Sequence, residues 1–242
     1  MGITDRFQMT QEDNILCAKR LLIDSIYSQA NLEGIAVTYA QTNDILNNVG
    51  VGELTPLDIN KICCLRDGWR YVLDNINESV DLGYLQYIHE IVARFDVPYH
   101  LLGKIRTSEV LISGTQWRPE MPNVEKLHQE LMDLKQISCV TERALTIGLW
   151  VMRNQPFMDG NKRVGCFVAN KILIENGKGI MNVPVELDST FKRKLVLYYE
   201  TNEPKDILKW ICDNCMQGIN EIQMETSKSQ HEKTNLIIRK GR

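Results

Sequence analysis

One loop constrains the fold more than any other part of the chain. From Gln155 to Arg163 it reads QPFMDGNKR, and apolar residues with helical spacing lie on both sides of it. This spacing predicts two buried helices, and Pro156 predicts that the first ends at an extended Gln155. The second helix offers free N–H groups and a positive dipole end to an anion. Because Lys162 adds a cation and Asp159 can hold a metal, the leading hypothesis is a phosphate site.

Composition excludes several classes of protein. The chain has 242 residues, of which 43% are hydrophobic and 24% charged, and this is typical of a globular protein. Its net charge of −3 gives no basic surface for nucleic acid or for an anionic membrane. It has no apolar run long enough to span a bilayer and no apolar signal core. The seven cysteines have no framework spacing, so we expect reduced thiols, no zinc site and a cytoplasmic location.

Helical periodicity dominates the remaining sequence and predicts an all-α fold. The pattern predicts helices over residues 10–29, 38–47, 55–76, 82–95, 124–134, 189–200 and 204–222, besides the two that flank the loop. We expect Ser138 or Thr141 to cap the helix before the loop, and Asn176-Gly177 to end the helix after it. We divide the chain into an N-terminal helical segment (1–50), a core domain (51–222) and a polar tail (223–242).

Residues 97–122 interrupt the helical pattern. Within them, Glu109–Trp117 is short and rich in β-branched residues, with Gly114 near its centre. These features predict one short β-hairpin, which would leave an open strand edge that another chain could pair with.

Three segments together resemble the Fic (filamentation induced by cAMP) family. The loop fits the family signature, His-Pro-Phe-x-Asp/Glu-Gly-Asn-Gly/Lys-Arg, at every position except the first, where Gln155 replaces histidine. Residues 103–107 and 110–114 are similar to the family's flap. Leu32-Glu33-Gly34 is similar to the inhibitory segment of the subgroup that carries it near the N-terminus. The resemblance extends over roughly residues 10–220 and implies a Fic-type helical core with one short β-hairpin flap.

The resemblance implies transfer of AMP from ATP to a protein hydroxyl, with Mg²⁺ as the second cofactor. In that reaction Asp159 would hold the metal, and Gly160 and Asn161 would present backbone N–H groups to the phosphates. Lys162 and Arg163 would neutralise the charge of the transferring group. The flap residues Val110, Leu111 and Ile112 would dock the hydroxyl-bearing target segment by strand pairing. The resemblance also implies a possible homodimer.

Gln155 limits this implied activity. The family histidine is a general base, which contributes typically about 10²–10⁴-fold, and an amide has no usable basicity near neutral pH. We therefore expect an impaired transferase. Three alternatives stay open. The chain is a non-catalytic module that binds nucleotide or protein, or it is an enzyme that uses another base or a reaction needing none, or it is a drifted or engineered variant of an active enzyme. Among the other histidines, His89 lies on an inward-facing helix and is interpreted as a core residue with its hydrogen bonds satisfied.

Glu33 has an uncertain partner. In the family such a glutamate pairs with a second arginine three residues after the first, but here that position is Cys166. Lys162 or Arg163 could take this role instead. The alternative is that Glu33 merely precedes a helix-ending glycine, Gly34.

Overall fold

The structure is a computed structural model, and it describes residues 2–219. The described helices are α1 (Gln11–Arg20), α2 (Leu22–Leu32), α3 (Tyr39–Leu46), α4 (Pro56–Asp74), α5 (Leu82–Val92), α6 (Val124–Leu134), α7 (Val140–Asn154), α8 (Asn161–Glu175), α9 (Asp188–Thr201) and α10 (Lys205–Asn214). Two short 3₁₀ turns cover Tyr99–Leu101 and Val185–Leu187. Strands β1 (Ile180–Met181) and β2 (Met216–Gln217) pair antiparallel. The all-α prediction is confirmed.

Helices α7 and α8 form the centre of the molecule. Both are buried along most of their length, and α5 and α4 pack against α8. The two helices touch through their backbones, because a Cβ atom added at Gly148 would lie 2.7 Å from the carbonyl oxygen of Gly165. A Cβ atom at Gly165 would lie 2.5 Å from the carbonyl oxygen of Gly148. This contact fixes the separation of the two helices close to the loop that joins them.

The N-terminal region differs from its predicted form. A single helix was expected over residues 10–29, but Leu21 leaves the helical region, and α2 continues to Leu32. The N–H of Leu21 still bonds to Cys17, so the break is a tight turn between two helices. Gly34 has the left-handed φ of 82° that the sequence predicted for a residue following a helix.

The cap of α7 is also different from the one expected. Ser138 and Thr141 were the predicted caps, but the N-cap residue is Cys139, and its side chain does not cap the helix. Instead, a carboxylate oxygen of Asp5 accepts hydrogen bonds from the N–H and the hydroxyl of Thr141, at 2.9 and 2.8 Å. A distant segment therefore satisfies this helix end, which local sequence could not reveal.

The last helix is shorter than predicted. Helix α10 ends at Asn214, because Met216 and Gln217 pair with β1. The remainder of the predicted helix beyond residue 219 and the predicted tail 223–242 lie outside the described residues. None of the helices described has the length and apolar character needed to cross a membrane.

Candidate active site

The loop between α7 and α8 is held together by one buried amide side chain. The Oδ1 atom of Asn161 accepts the N–H of Phe157 at 3.0 Å. Its Nδ2 atom donates to the carbonyl oxygen of Phe157 at 2.9 Å and to Oε1 of Gln155 at 2.8 Å. The Asn161 side chain therefore stabilises the loop internally, and only its backbone remains to face a ligand.

Gln155 is not extended, contrary to the prediction. It closes α7 in the left-handed conformation, with φ 48° and ψ 56°, and its N–H bonds to Val151. Its Nε2 atom donates to the carbonyl oxygen of Met152 at 2.6 Å. The proline that follows disfavours the right-handed helical region at Gln155, and these hydrogen bonds favour the left-handed conformation over an extended one. Both ends of the amide are thus engaged, one by the last turn of α7 and the other by Asn161.

His89, on α5, supports the loop from beneath. The imidazole is fully buried and stacks on Phe157 with ring centroids 4.1 Å apart. Its Nδ1 atom accepts the N–H of Gly103 at 2.9 Å, so Nε2 carries the proton and donates to the carbonyl oxygen of Asp159 at 3.1 Å. The interpretation of His89 as a satisfied core histidine is confirmed. It also links the loop to the segment that leads into the flap.

Burial lowers the pKa of His89 from 6.5 to about 4. Below pH 6.5 the unfolded chain binds a proton that the folded chain takes up only near pH 4. Stability from this group is therefore complete above pH 6.5 and is lost as the pH falls. Between pH 7 and pH 5 we expect the free energy of unfolding to fall by about 2 kcal/mol through His89 alone.

His89→Phe tests this prediction, because it keeps a ring against Phe157 but removes both hydrogen bonds. At pH 7 the variant should lose about 1–3 kcal/mol of unfolding free energy in urea titrations. At pH 5 the difference from the parent should shrink by about 2 kcal/mol. His128→Phe, at an exposed position on α6, is the control. An unchanged difference at the two pH values would contradict the assignment.

The predicted flap hairpin lacks its strands. Residues 109–117 form no strand in the described chain, although Gly114 makes the expected turn with φ 84°. The two limbs are connected through a side chain, because Arg106 donates to the carbonyl oxygens of Ser108 and Glu120 at 2.8 and 2.6 Å. A guanidinium between the limbs replaces the direct backbone ladder that a hairpin needs.

The flap segment is attached to its surroundings at both ends. At the start, the N–H of Arg106 bonds to Pro156 at 2.9 Å and its Nε bonds to the carbonyl oxygen of Gln155 at 2.7 Å. At the far end, Trp117 stacks on Tyr199 of α9. Between these attachments, the backbone of residues 110–112 makes no hydrogen bond within the described chain. An extended segment could therefore pair with it.

Glu33 faces both cations of the loop. Its carboxylate oxygens lie 3.2 Å from Nζ of Lys162 and 3.4 Å from Nε of Arg163. The Arg163 contact lacks hydrogen-bond geometry, because Nε has no hydrogen-bond acceptor in the described chain. Cys166, at the position of the family's second arginine, is fully buried and has no cationic group to offer. Glu33 thus pairs with both candidate residues, by charge more than by directed hydrogen bonds.

Arg163 is an internal anchor. Its side chain is 6% exposed, and NH1 contacts the carboxylate of Asp96 and the carbonyl oxygen of Val92, the latter at 2.6 Å. Burial opposes its charge, but the carboxylates of Glu33, Asp96 and Asp159 outweigh burial and raise the pKa of Arg163. The neighbouring Lys162 is 30% exposed. Of the two cations, Lys162 is therefore the one that a ligand can reach.

A cavity of about 440 Å³ brings these segments together. The predicted site residues that line it are Glu33, Val110, Leu111, Ile112, Gln155, Asp159, Gly160, Asn161 and Lys162, whereas Arg163 does not. Sequence reasoning missed the contribution of α9, from which Lys192, Leu195, Val196 and Tyr199 complete the wall. These four follow helical spacing, but no local motif marks them. The cavity thus has a charged side at the loop and a largely apolar side at the flap and α9.

Asp159 fits the role of a magnesium ligand. Its side chain is 58% exposed and lines the cavity. One oxygen accepts the N–H of Gly160 at 2.5 Å, which orients the carboxylate. In the described chain no three acidic, histidine or cysteine side chains cluster as a metal cage. This arrangement suits Mg²⁺, which commonly takes one or two carboxylates and completes its shell with water and phosphate oxygens.

The site lies in a helical domain whose glycine-containing loop joins two buried helices and faces a second loop across a cavity. Residues 79–173, which include this loop, match the sequence model of the Fic/DOC family. This part of the chain is therefore similar to a Fic/DOC family domain. No curated protein matches the chain.

Solved structures with Fic domains have the same fold. The chain is similar to Fic-1 (residues 134–508) from C. elegans, with 17% identity and a TM-score of 0.68 over 82% of this chain and 62% of that one. A Fic domain containing signaling protein from Bacteroides thetaiotaomicron has 18% identity and a TM-score of 0.67, covering 84% of each chain. A Fic family protein from Desulfovibrio desulfuricans has 18% identity and a TM-score of 0.63, over 83% of this chain and 62% of that one. The chain thus spans less than two thirds of the C. elegans and Desulfovibrio structures.

Proposed function

We propose that the cavity is a nucleotide site of the Fic type, built to transfer AMP from ATP to a hydroxyl side chain of a target protein. The observation that carries the proposal is the meeting of the loop, the flap segment and Glu33 around one cavity. Bound Mg²⁺ would be held by Asp159 and would neutralise phosphate charge. Lys162 would bind the phosphates beside the N–H groups at the start of α8.

The target would dock along residues 110–112. Their unpaired backbone groups support this, because strand pairing there would satisfy donors and acceptors that make no hydrogen bond within the described chain. The side chain of Leu111 is 73% exposed and would add an apolar contact to the bound segment. The hydroxyl to be modified would then lie over the loop.

Glu33 would hold the site in an inhibited form. Its carboxylate is 16% exposed, lines the cavity and pairs with the reachable cation, Lys162. A nucleotide phosphate needs the same cation and carries the same sign of charge as Glu33. Binding therefore requires the glutamate to move away.

Neutralising Glu33 should strengthen nucleotide binding. We expect Glu33→Gln to lower the Kd for Mg·ATP by about tenfold or more, measured by isothermal titration calorimetry, since about 1.4 kcal/mol of removed repulsion is sufficient. Glu53→Gln, at an exposed glutamate outside the cavity wall, is the matched control. Equal Kd values for the two variants would exclude an inhibitory role for Glu33.

A second candidate function is a non-catalytic module that binds a nucleotide. The specific observation in its favour is that both ends of the Gln155 amide are occupied, Nε2 by the carbonyl oxygen of Met152 on α7 and Oε1 by the side chain of Asn161. The residue at the position of the family base thus contributes structure and no basicity. Nucleotide binding without transfer, even after a base is restored, would establish this function.

A further inference from the structure

A second cavity, of about 360 Å³, lies toward the other end of α8. It is bounded by the C-terminal turns of α8, the start of α7, the residue that follows α6, and the segment before α5. Lys171, on α8, lies nine residues after Lys162, or about 14 Å further along the helix axis. The two cavities have no lining residue in common.

The charge of this second cavity is positive. Its wall contains Lys135, Arg143 and Lys171, against a single carboxylate, Glu175. The whole chain, by contrast, carries a net charge of −3. Three cations around one concave surface raise the local potential and favour an anion.

Lys171 is the most unusual member of this wall. Its side chain is 1% exposed, although lysine is almost never fully buried unless it is paired. Its ammonium has three N–H donors, and the partner it has is one oxygen of Glu175, at 2.8 Å. The described chain supplies no acceptor for the other two donors. Buried donors are normally satisfied by protein groups or ordered water, so these two N–H groups can accommodate an acceptor from outside the chain.

The other two cations are held in place with donors to spare. Arg143 uses NH1 to bond the carbonyl oxygen of Ile137 at 2.8 Å, and its remaining N–H groups have no acceptor in the described residues. Lys135 donates to the hydroxyl of Ser79 and to the carbonyl oxygen of Val80, both at 3.1 Å. The guanidinium and the buried ammonium thus offer several uncommitted donors at one cavity.

We propose that this second cavity binds a small phosphate-bearing anion. A phosphate has oxygens enough to accept from Lys171 and Arg143 together, and planar guanidinium groups match its geometry. A dianion would also balance the two positive charges that the wall carries in excess of Glu175. The site is separate from the proposed nucleotide site and does not depend on it.

The test uses the full chain with inorganic phosphate and with phosphoserine as probes. Sodium acetate and sodium chloride at equal ionic strength serve as controls for general salt effects. We expect both phosphate probes to raise Tm saturably, as a ligand specific to the folded state must. Equal affinities would identify free phosphate as sufficient, and tighter binding of phosphoserine would identify a phosphate monoester; either result supports the site.

Variants locate the binding. Lys171→Met and Arg143→Gln should each weaken the affinity for phosphate by about tenfold or more. Lys209→Met removes a lysine from an exposed pair with the same four-residue spacing, Lys209–Asp213, and should leave the affinity unchanged. Arg143 is only partly buried, so its variant remains informative if Lys171→Met does not fold.

Three results would overturn the proposal, and two of them come from the variants. One is an affinity for phosphate that neither Lys171→Met nor Arg143→Gln reduces. The other is loss of phosphate binding in Lys162→Met, which would place the anion at the loop. The third is a Tm increase that acetate and chloride reproduce, which would show that the increase is a general effect of ionic strength.

Discussion

Gln155→His in a chain that also carries Glu33→Gly is expected to raise AMP transfer to protein substrates by about 10²–10⁴-fold over Glu33→Gly alone. The histidine would supply a proton acceptor at the start of the loop, where the present amide supplies none. The N–H of the imidazole can replace the donation of Gln155 Nε2 to the carbonyl oxygen of Met152, which leaves the other ring nitrogen free to accept a proton. Asn161 keeps both of its hydrogen bonds to Phe157, so the loop should keep its shape. Labelled ATP, Mg²⁺ and a cell lysate give the measurement.

The matched control is Gln155→Asn in the same Glu33→Gly chain. It alters the same side chain but introduces no base, so it should not raise the transfer rate. Equal labelling by the asparagine and histidine variants would show that the rate responds to loop packing. If Glu33→Gly alone labels proteins as strongly as the chain with histidine, the residue at position 155 is not the limiting group.

Arg163→Met is expected to lower the free energy of unfolding by about 3 kcal/mol. The substitution leaves Asp96, a carboxylate that is 9% exposed, without its guanidinium partner, and breaking a buried pair in this way typically costs about 3–5 kcal/mol. We expect the lower end of this energy range because the ammonium of Lys61 still contacts the carboxylate of Asp96 at 2.6 Å. For a domain of this size, Tm should fall by about 6–12 °C.

Lys162→Met is the matched comparison for Arg163→Met. Lys162 is the adjacent residue and contacts the same glutamate, but its side chain is 30% exposed. Its loss should therefore cost less than about 1 kcal/mol, while Mg·ATP binding in a Glu33→Gln background should weaken. If calorimetry gives the two variants the same Tm, Arg163 is not the buried anchor described above.

Sequence patterns were sufficient where periodicity and local capping determine the structure. Helix α6 has the bounds predicted for it, and the helix before the loop ends ahead of Pro156 as expected. Gly34 and Gly114 adopt the left-handed conformations that their turns require. In each case the relevant interactions involve residues close in sequence, and the pattern is informative for that reason.

The failures share a physical cause, which is interaction between residues far apart in the chain. Asp5, 136 residues earlier in the sequence, caps α7, and the side chain of Arg106 bridges the two limbs where a hairpin would have a backbone ladder. Successive helical residues point about 100° apart, so Lys162 and Arg163 must face different sides of α8. Which of them faces the core depends on how α8 packs, and the sequence alone does not show this. The contribution of α9 to the cavity likewise depends on how the helix packs.

The contact between Gly148 and Gly165 makes the spacing of the loop ends independent of the side chains that give the loop its chemistry. The distance between the ends of the loop is set by main chain against main chain, within two turns of the loop on either side. Side chains of the loop do not take part in that contact. Loop residues that face the cavity, such as Asp159 and Lys162, can therefore be substituted to change the chemistry of the site while the two helices keep their separation.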